Sequence, residues 1–386
     1  MVTGLIQQAG IKEIGFSLLK TGKNVSLRTE TDRSPNFMRT KKILVTGAAG
    51  FIGSWLTMRL LKDHPEISVV GYDNLNPYYP VSLKEYRLDM IDDLPESEGR
   101  WTFVSGELED REKVRAVFDE HRPEMVVNLA AQAGVRRSLR EPEVYLSSNV
   151  IGFFNILESC REYHVGHLVF ASSSSVYGDS RDVPFEPEQD TDHPVSFYAA
   201  TKKANEVMGY AYSKCFGIPM TALRFFSVYG PAGRPDMAYY HFSETWMSGK
   251  NISLFDEGRC KRDFTYIDDV VSALEQILLS GKSEELFDAM ETPFRVYNIG
   301  NENPVLMTDF VRILSDSLIR YGALPTDFSL WDRVDMVGKQ AGDPEITCAD
   351  SSGLLNDYGI KPSVNIEEGL DRFARWFAHY KNGAKK

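Results

Sequence analysis

Apolar positions along this chain keep two alternating rhythms. Short unbroken runs such as Ile43-Leu44-Val45 and Met125-Val126-Val127 suit strands buried on both faces. Between them, apolar residues recur every three or four positions, as in Phe51, Trp55, Leu56, Leu60 and Leu61, which is the stripe of a helix. The pattern predicts strands at 41–46, 68–73, near 102–105, 125–129, 167–171 and 220–225. It predicts helices at 51–63, 110–121, around 143–163 and about 197–216, with an irregular Tyr-, Asn- and Pro-rich stretch reaching to about 82. Such alternation gives an α/β fold, a doubly wound parallel sheet with right-handed crossovers, whose ligands sit at the carboxyl ends of the strands.

After about 226 the rhythm changes. Loops lengthen, 236–249, 266–280, 307–321 and 366–380 read as helices, and strands become short and scattered. The expected organisation is a sheet domain over 38–225 and a smaller C-terminal α+β substrate domain over 226–386, some of whose segments return to the first. Residues 1–37 fit neither. Ile11 to Leu19 suits one short amphipathic helix, and Thr21 to Asn36 is polar and turn-like. Without an apolar stretch and small-residue cleavage site a secretory signal is not expected there and a transit peptide is a weak alternative, so 1–37 is expected to be a disordered leader or a start set ahead of Met38.

The first strand runs directly into Gly47, Gly50 and Gly53, spaced G-x-x-G-x-x-G, and then into the helix. A glycine permits the tight turn at 47, keeps the backbone open at 50 for a pyrophosphate, and allows close packing at 53. The first helical residues, Phe51 and Ile52, present N–H groups and the positive end of the helix dipole to phosphates. The second strand ends at Asp73, about 20 residues past the last glycine, where a ribose hydroxyl is held. A carboxylate there repels a 2′-phosphate, so NAD is favoured over NADP. Strand, glycines, helix, second strand and terminal acid in that order are a strong signal for dinucleotide binding.

The fifth predicted strand ends in Ala171-Ser-Ser-Ser-Ser-Val-Tyr-Gly178, four hydroxyls at the ligand edge. Taken alone, these are as well read as a capped polar strand end. Tyr198-Ala-Ala-Thr-Lys202 opens the next helix, and residues four apart share a helix face. A phenol with pKa about 10 is a poor base at neutral pH. A fixed ammonium and a positive nicotinamide ring stabilise the phenolate. It then takes a proton from an alcohol as hydride leaves the carbon. The bland reading is a surface Tyr–Lys pair, which the dinucleotide motif upstream outweighs.

The net charge of −12 argues against broad binding to nucleic acid or an anionic membrane. The four cysteines, Cys160, Cys215, Cys260 and Cys348, lie far apart, which fits reduced thiols in the cytoplasm and no zinc site. No apolar run is long enough to span a bilayer. Arg136, Arg137 and Arg140 suit phosphates or a solvated cationic face, and Phe255 suits stacking on a base or a place in the core. His164 and His167 read as non-ligands, and His193 as loop structure.

These motifs, with Leu129-Ala-Ala-Gln-Ala-Gly-Val135, Leu223-Arg-Phe-Phe-Ser-Val-Tyr-Gly-Pro231 and Arg262-Asp-Phe-Thr-Tyr-Ile-Asp-Asp269, resemble the extended short-chain dehydrogenase/reductases over about 40 to 380. Asp73-Asn-Leu-Asn76, His193-Pro-Val-Ser-Phe-Tyr198 and Gly233-Arg-Pro-Asp-Met237 resemble the UDP-glucuronate 4-epimerase subgroup. The resemblance implies a Rossmann sheet with bound NAD. It also implies an enzyme that inverts C4 of UDP-glucuronate through a transient ketone, and a homodimer built on a helical bundle. By position it places Ser173 on the sugar O4 beside Tyr198 and Lys202, and Ser174, Ser175 and Ser227 around the carboxylate. It places Ala130, Ala131, Gln132, Asn74, Glu107 and Leu108 on the cofactor, Arg262 and Arg234 on the phosphates, and Asp343 on the uridine ribose; Arg136 is a further candidate on the substrate. Glu107 stands where the family usually has Asp; Asn128 and Arg137 replace a usual His and Tyr, and Ser227 a usual Thr. No acid follows Ser173, as it does in related dehydratases, and Ser175 stands where related decarboxylases carry Glu. A decarboxylase or a UDP-glucose/galactose 4-epimerase on this scaffold is the enzyme alternative, and an NAD-sensing regulatory protein the non-enzyme one.

Overall fold

The computed structural model describes residues 41–339 and 344–383. Twelve strands occur among them: β1 Lys41–Thr46, β2 Ile67–Asp73, β3 Trp101–Ser105, β4 Met125–Asn128, β5 His167–Ala171, β6 Met220–Phe225, β7 Ser227–Tyr229, β8 Ile252–Phe255, β9 Lys261–Tyr266, β10 Phe294–Ile299, β11 Pro304–Leu306 and β12 Val334–Val337. Seven form one sheet in the order β10-β6-β5-β4-β1-β2-β3, parallel throughout. The seventh, β10, comes from beyond 226 and lies beside β6. β11, β9 and β7 make a small sheet, and β8 pairs with β12.

The unbroken apolar runs follow from burial on both faces. Along β1, Ile43 and Val45 join the core on one side, with Leu56 and Leu60 of the following helix, while Leu44 joins Val70, Val126, Phe118 and Phe153 on the other. Strands are added outward from β1 on one side and from β4 on the other, so the crevice at the carboxyl ends of these two is the place for a ligand. Thr46 stitches that point: its hydroxyl donates to Asn128 Oδ1 at 2.7 Å and accepts the Ala130 N–H at 3.2 Å.

The predicted helices are found at Phe51–Asp63, Arg111–His121 and Phe197–Phe216, and later at Ala238–Met247, Ile267–Leu279, Met307–Arg320 and Ile366–Gly383. Two features depart from the pattern. Val81–Asp92 is a helix that the apolar rhythm does not announce, because its buried face is Leu83, Lys84, Arg87 and Ile91. The segment expected as one helix at 143–163 is broken into Pro142–Tyr145, a π-helical stretch Leu146–Ile151, and Gly152–Glu162. The wider turn faces Asn149 inward, where its side chain accepts from the Gln132 N–H at 2.8 Å and donates to the Gln132 carbonyl at 3.0 Å.

Candidate active site

A cleft of about 1100 Å³ opens at the carboxyl edge of the sheet. The glycine turn forms its floor. Gly47 adopts φ +71°, in the left-handed region, and its N–H donates to the Tyr72 carbonyl at 2.7 Å. The Gly50 N–H closes the turn onto the Gly47 carbonyl at 2.9 Å. A Cβ on Gly50 would stand 2.8 Å from that carbonyl oxygen, and one on Gly53 only 2.2 Å from it. Close packing at 53 is therefore against the turn itself. Gly50 caps the helix without a side-chain bond and no acid lies in its first turn, so Phe51 and Ile52 face the cleft with an uncompensated positive dipole end.

Asp73 ends β2 at the cleft wall. Its Oδ1 accepts the Leu75 N–H at 2.9 Å and lies 3.4 Å from the buried Lys84 ammonium. Leu108, Ala130, Ala131, Gln132 and Asn74 line the same end. Glu107 is exposed beside them, its carboxylate accepting from the Asn74 amide at 2.6 Å. The fully buried Arg87 ties this end to the far loop, donating to the carbonyls of Ala49, Ala232 and Gly233 and to the Tyr79 hydroxyl.

The chemistry-bearing residues converge at the end of β5. Ser173 caps a short 3₁₀ turn, Ser174–Tyr177, with its Oγ accepting the Ser175 N–H at 3.2 Å and the Ser175 hydroxyl at 2.9 Å. Ser196 caps the helix Phe197–Phe216 by accepting the Ala199 N–H at 3.1 Å, which sets Tyr198 and Lys202 on the cleft side. Burial pushes the Tyr198 phenol above its ordinary value, while a hydrogen bond from Ser173 and the charge of Arg234 pull it down. The Lys202 ammonium is buried and donates to the Ala171 carbonyl at 2.8 Å. The Arg234 charge is offset at the phenol by that of its partner Asp236, which pushes the other way. Arg234 is chelated by Asp236 at 3.0 and 2.5 Å, and Asp236 also accepts the Tyr78 hydroxyl at 3.1 Å.

Ser174, Ser175, Ser227, Arg136, Phe255 and Arg262 also line the cleft. The Arg136 guanidinium lies 5.1 Å over the Phe255 ring, bringing two predicted substrate residues together from separate elements. Asp343 lies outside the described residues. Tyr78, Lys84 and Asp236 line the cleft without having been singled out from sequence; the irregular 74–82 stretch and the Arg-Pro-Asp run were the available signals. His167 is away from the cleft, bonded to the Thr221 hydroxyl at 2.9 Å. Among the described residues, no group of three or more His, Cys, Asp and Glu is placed to hold a metal, and no helix is long and apolar enough to cross a membrane.

Sheet order, glycine turn and tyrosine-bearing edge define a dinucleotide-binding protein of the extended short-chain dehydrogenase/reductase class. The model of the NAD dependent epimerase/dehydratase family matches residues 43–300, and the chain belongs to that family. Protein CapI of Staphylococcus aureus is 41% identical over 347 residues, 88% of this chain and 99% of that one. UDP-glucuronate 4-epimerase 1 of Arabidopsis thaliana is 41% identical over 346 residues, 88% of this chain and 77% of the relative. Among solved structures, UDP-glucuronic acid 4-epimerase from Bacillus cereus, in complex with UDP-glucuronic acid and NAD, is 28% identical with a TM-score of 0.76, covering 88% of this chain and 99% of that one.

Proposed function

We propose that this chain inverts C4 of UDP-glucuronate to give UDP-galacturonate, with NAD as its resident cofactor. The single observation that carries the reading is the convergence of Tyr198, Lys202, Ser173 and three further hydroxyls, of Ser174, Ser175 and Ser227, in one cleft at the sheet edge. The 41% identity to an Arabidopsis UDP-glucuronate 4-epimerase supports the choice of sugar.

The residues present fit NAD. Cβ atoms at Gly50 and Gly53 would fill the cradle under the phosphates, Phe51 and Ile52 supply N–H donors, and Asp73 stands where a ribose diol is recognised. Ala130, Ala131 and Gln132 would line its path, and Lys202 would hold its nicotinamide ribose. When bound, NAD would supply the hydride acceptor for oxidation at C4 and, in its reduced form, the hydride donor for the return step.

The protein handles protons and the carboxylate. Tyr198 takes the O4 proton as phenolate and returns it to the new alkoxide, with Ser173 holding O4 in line. A ketone at C4 lies β to the C6 carboxylate, and such acids lose carbon dioxide readily. Ser174, Ser175 and Ser227 hold the carboxylate by hydroxyl donation, which fixes its plane and leaves its charge in place. Arg262, Arg136 and Arg234 face the diphosphate and Phe255 the uracil; Asp343 takes the uridine ribose. The sheet portion to 225 carries the cofactor and the portion from 226 carries the UDP-sugar, with β10 as a returning segment.

Purified protein incubated with UDP-glucuronate and followed by proton NMR is expected to form UDP-galacturonate. A UDP-pentose with carbon dioxide release identifies a decarboxylase instead, and bound NAD without turnover identifies a sensor.

A homodimer completes the proposal. Leu146, Ile151 and Phe154 are exposed next to Val207 and Tyr210 of Phe197–Phe216, an apolar face of two neighbouring helices that a second copy covers as a four-helix bundle. Sedimentation is expected to give twice the chain mass, and Phe154→Lys with Tyr210→Lys to give the monomer; a monomeric parent protein refutes it. The four unpaired cysteines fit a reducing cytoplasm.

A further inference from the structure

One turn beyond Lys202, the helix Phe197–Phe216 carries a second buried charge that the mechanism does not use. Glu206 is 5% exposed and Lys202 3%. The Glu206 carboxylate meets Arg224 of β6 in a two-pronged pair, Nε to Oε1 at 2.8 Å and Nη2 to Oε2 at 2.8 Å. Its Oε1 also accepts the Ser172 hydroxyl at 2.5 Å. Ser172 follows Ala171, whose carbonyl takes the Lys202 ammonium, and precedes Ser173. The remaining Arg224 nitrogen turns away, to the Tyr177 hydroxyl at 3.0 Å and the Pro187 carbonyl at 2.9 Å.

We propose that Glu206 is a positioning residue for the epimerisation. Anchored by Arg224 and Ser172, it keeps Lys202 ionised and lodged at the strand end that carries Ser173. A lysine packed away from water loses its proton easily unless an anion faces it. Burial lowers the Lys202 pKa to about 8, and the Glu206 charge is the influence that opposes this. Charges on the surrounding elements are engaged elsewhere. Arg137, beside the cleft, pairs with Glu141, and Arg234 across it pairs with Asp236. The Tyr145 phenol, packed edge-on to Tyr198, donates to the carbonyls of Ala133 and Gly134, and Tyr177 donates to Asn298. Two charges a helical turn apart thus converge on one strand end, one through Ala171 and the other through Ser172.

The inference rests on the epimerase reading for its consequence in turnover and on the ligand-free protein for its direct test. Nζ-¹⁵N-lysine-labelled full-length protein is titrated by NMR, with the Lys202 signal assigned by its loss in Lys202→Met. The pH dependence of UDP-glucuronate epimerisation is measured in parallel. Glu206→Gln removes the anion and leaves the Arg224 cation, so the Lys202 titration is expected to fall by about one unit or more. Glu206→Gln with Arg224→Met removes both charges, and its titration is expected to fall between the other two. The alkaline limb of turnover moves in the same order. If the single variant does not fold, the double variant decides. A Lys202 titration unmoved in a folded variant overturns the proposal, since a purely structural pair leaves it in place. Wild-type protein inactive on UDP-glucuronate refutes the epimerase reading, while the NMR titration still decides the role of Glu206.

Discussion

Tyr198→Phe is expected to lower turnover of UDP-glucuronate by roughly 10³-fold or more, with NAD content and thermal stability close to wild type; general-base steps contribute about 10² to 10⁴. The substitution removes one oxygen. The ring keeps its edge-on contact with Tyr145, at 6.2 Å between centroids, and the helix keeps its Ser196 cap. The lost hydroxyl is the group that Ser173 bonds, and the other phenols lining the cleft are engaged elsewhere: Tyr72 donates to the Glu107 carbonyl, Tyr177 donates to Asn298, and Tyr79 accepts from Arg87. Tyr78 is bound to Asp236, and burial together with that carboxylate pushes it up to about 12; Tyr145 is likewise pushed to about 12 by burial. Product formation is read by proton NMR and cofactor content by heat release and absorbance. A variant retaining a tenth of wild-type turnover would remove Tyr198 from the mechanism, since a tenfold loss is only about 1.4 kcal/mol of barrier.

What was legible in the sequence and what was not divide along a physical line. The strands could be read because burial on two faces leaves an apolar signature in each run, as in β1. Tyr198 and Lys202 could be paired because a helix fixes residues four apart on one face. The helix Val81–Asp92 could not be read, because Lys84 and Arg87 occupy its buried face and find their partners outside the helix, Lys84 at Asp73 and Arg87 far away in sequence at Ala49, Ala232 and Gly233. The direction of the Lys202 ammonium and the charge of Arg234 at the phenol are equally invisible to spacing, because each is set by a contact across the sheet edge. The hold of Asn74 on the Glu107 carboxylate is likewise a contact between neighbouring strand ends that spacing does not show.

Gly53→Ala gives the second large effect, and its sign is the point. In an ordinary helix interior, alanine is more favourable than glycine by about 0.8–1.0 kcal/mol. Here the added Cβ would stand 2.2 Å from the Gly47 carbonyl oxygen, 2.9 Å from its carbon and 3.1 Å from Ala48 Cα. The turn cannot withdraw cheaply, since the Gly47 carbonyl accepts the Gly50 N–H and the Gly47 N–H is bound to Tyr72. Relief requires the helix or the turn to move, and overpacking of this kind costs about 1–3 kcal/mol, occasionally more. Because the displaced backbone is the floor of the cofactor cleft, a large part of the cost falls on NAD. Affinity for NAD is expected to drop about tenfold or more, equivalent to 1.4 kcal/mol, alongside a lower melting temperature. Calorimetric titration of the stripped protein with NAD and thermal melting test both. An alanine variant that melts higher than wild type and binds NAD unchanged would mean the turn is slack, and that Gly53 is there for a reason other than contact with Gly47.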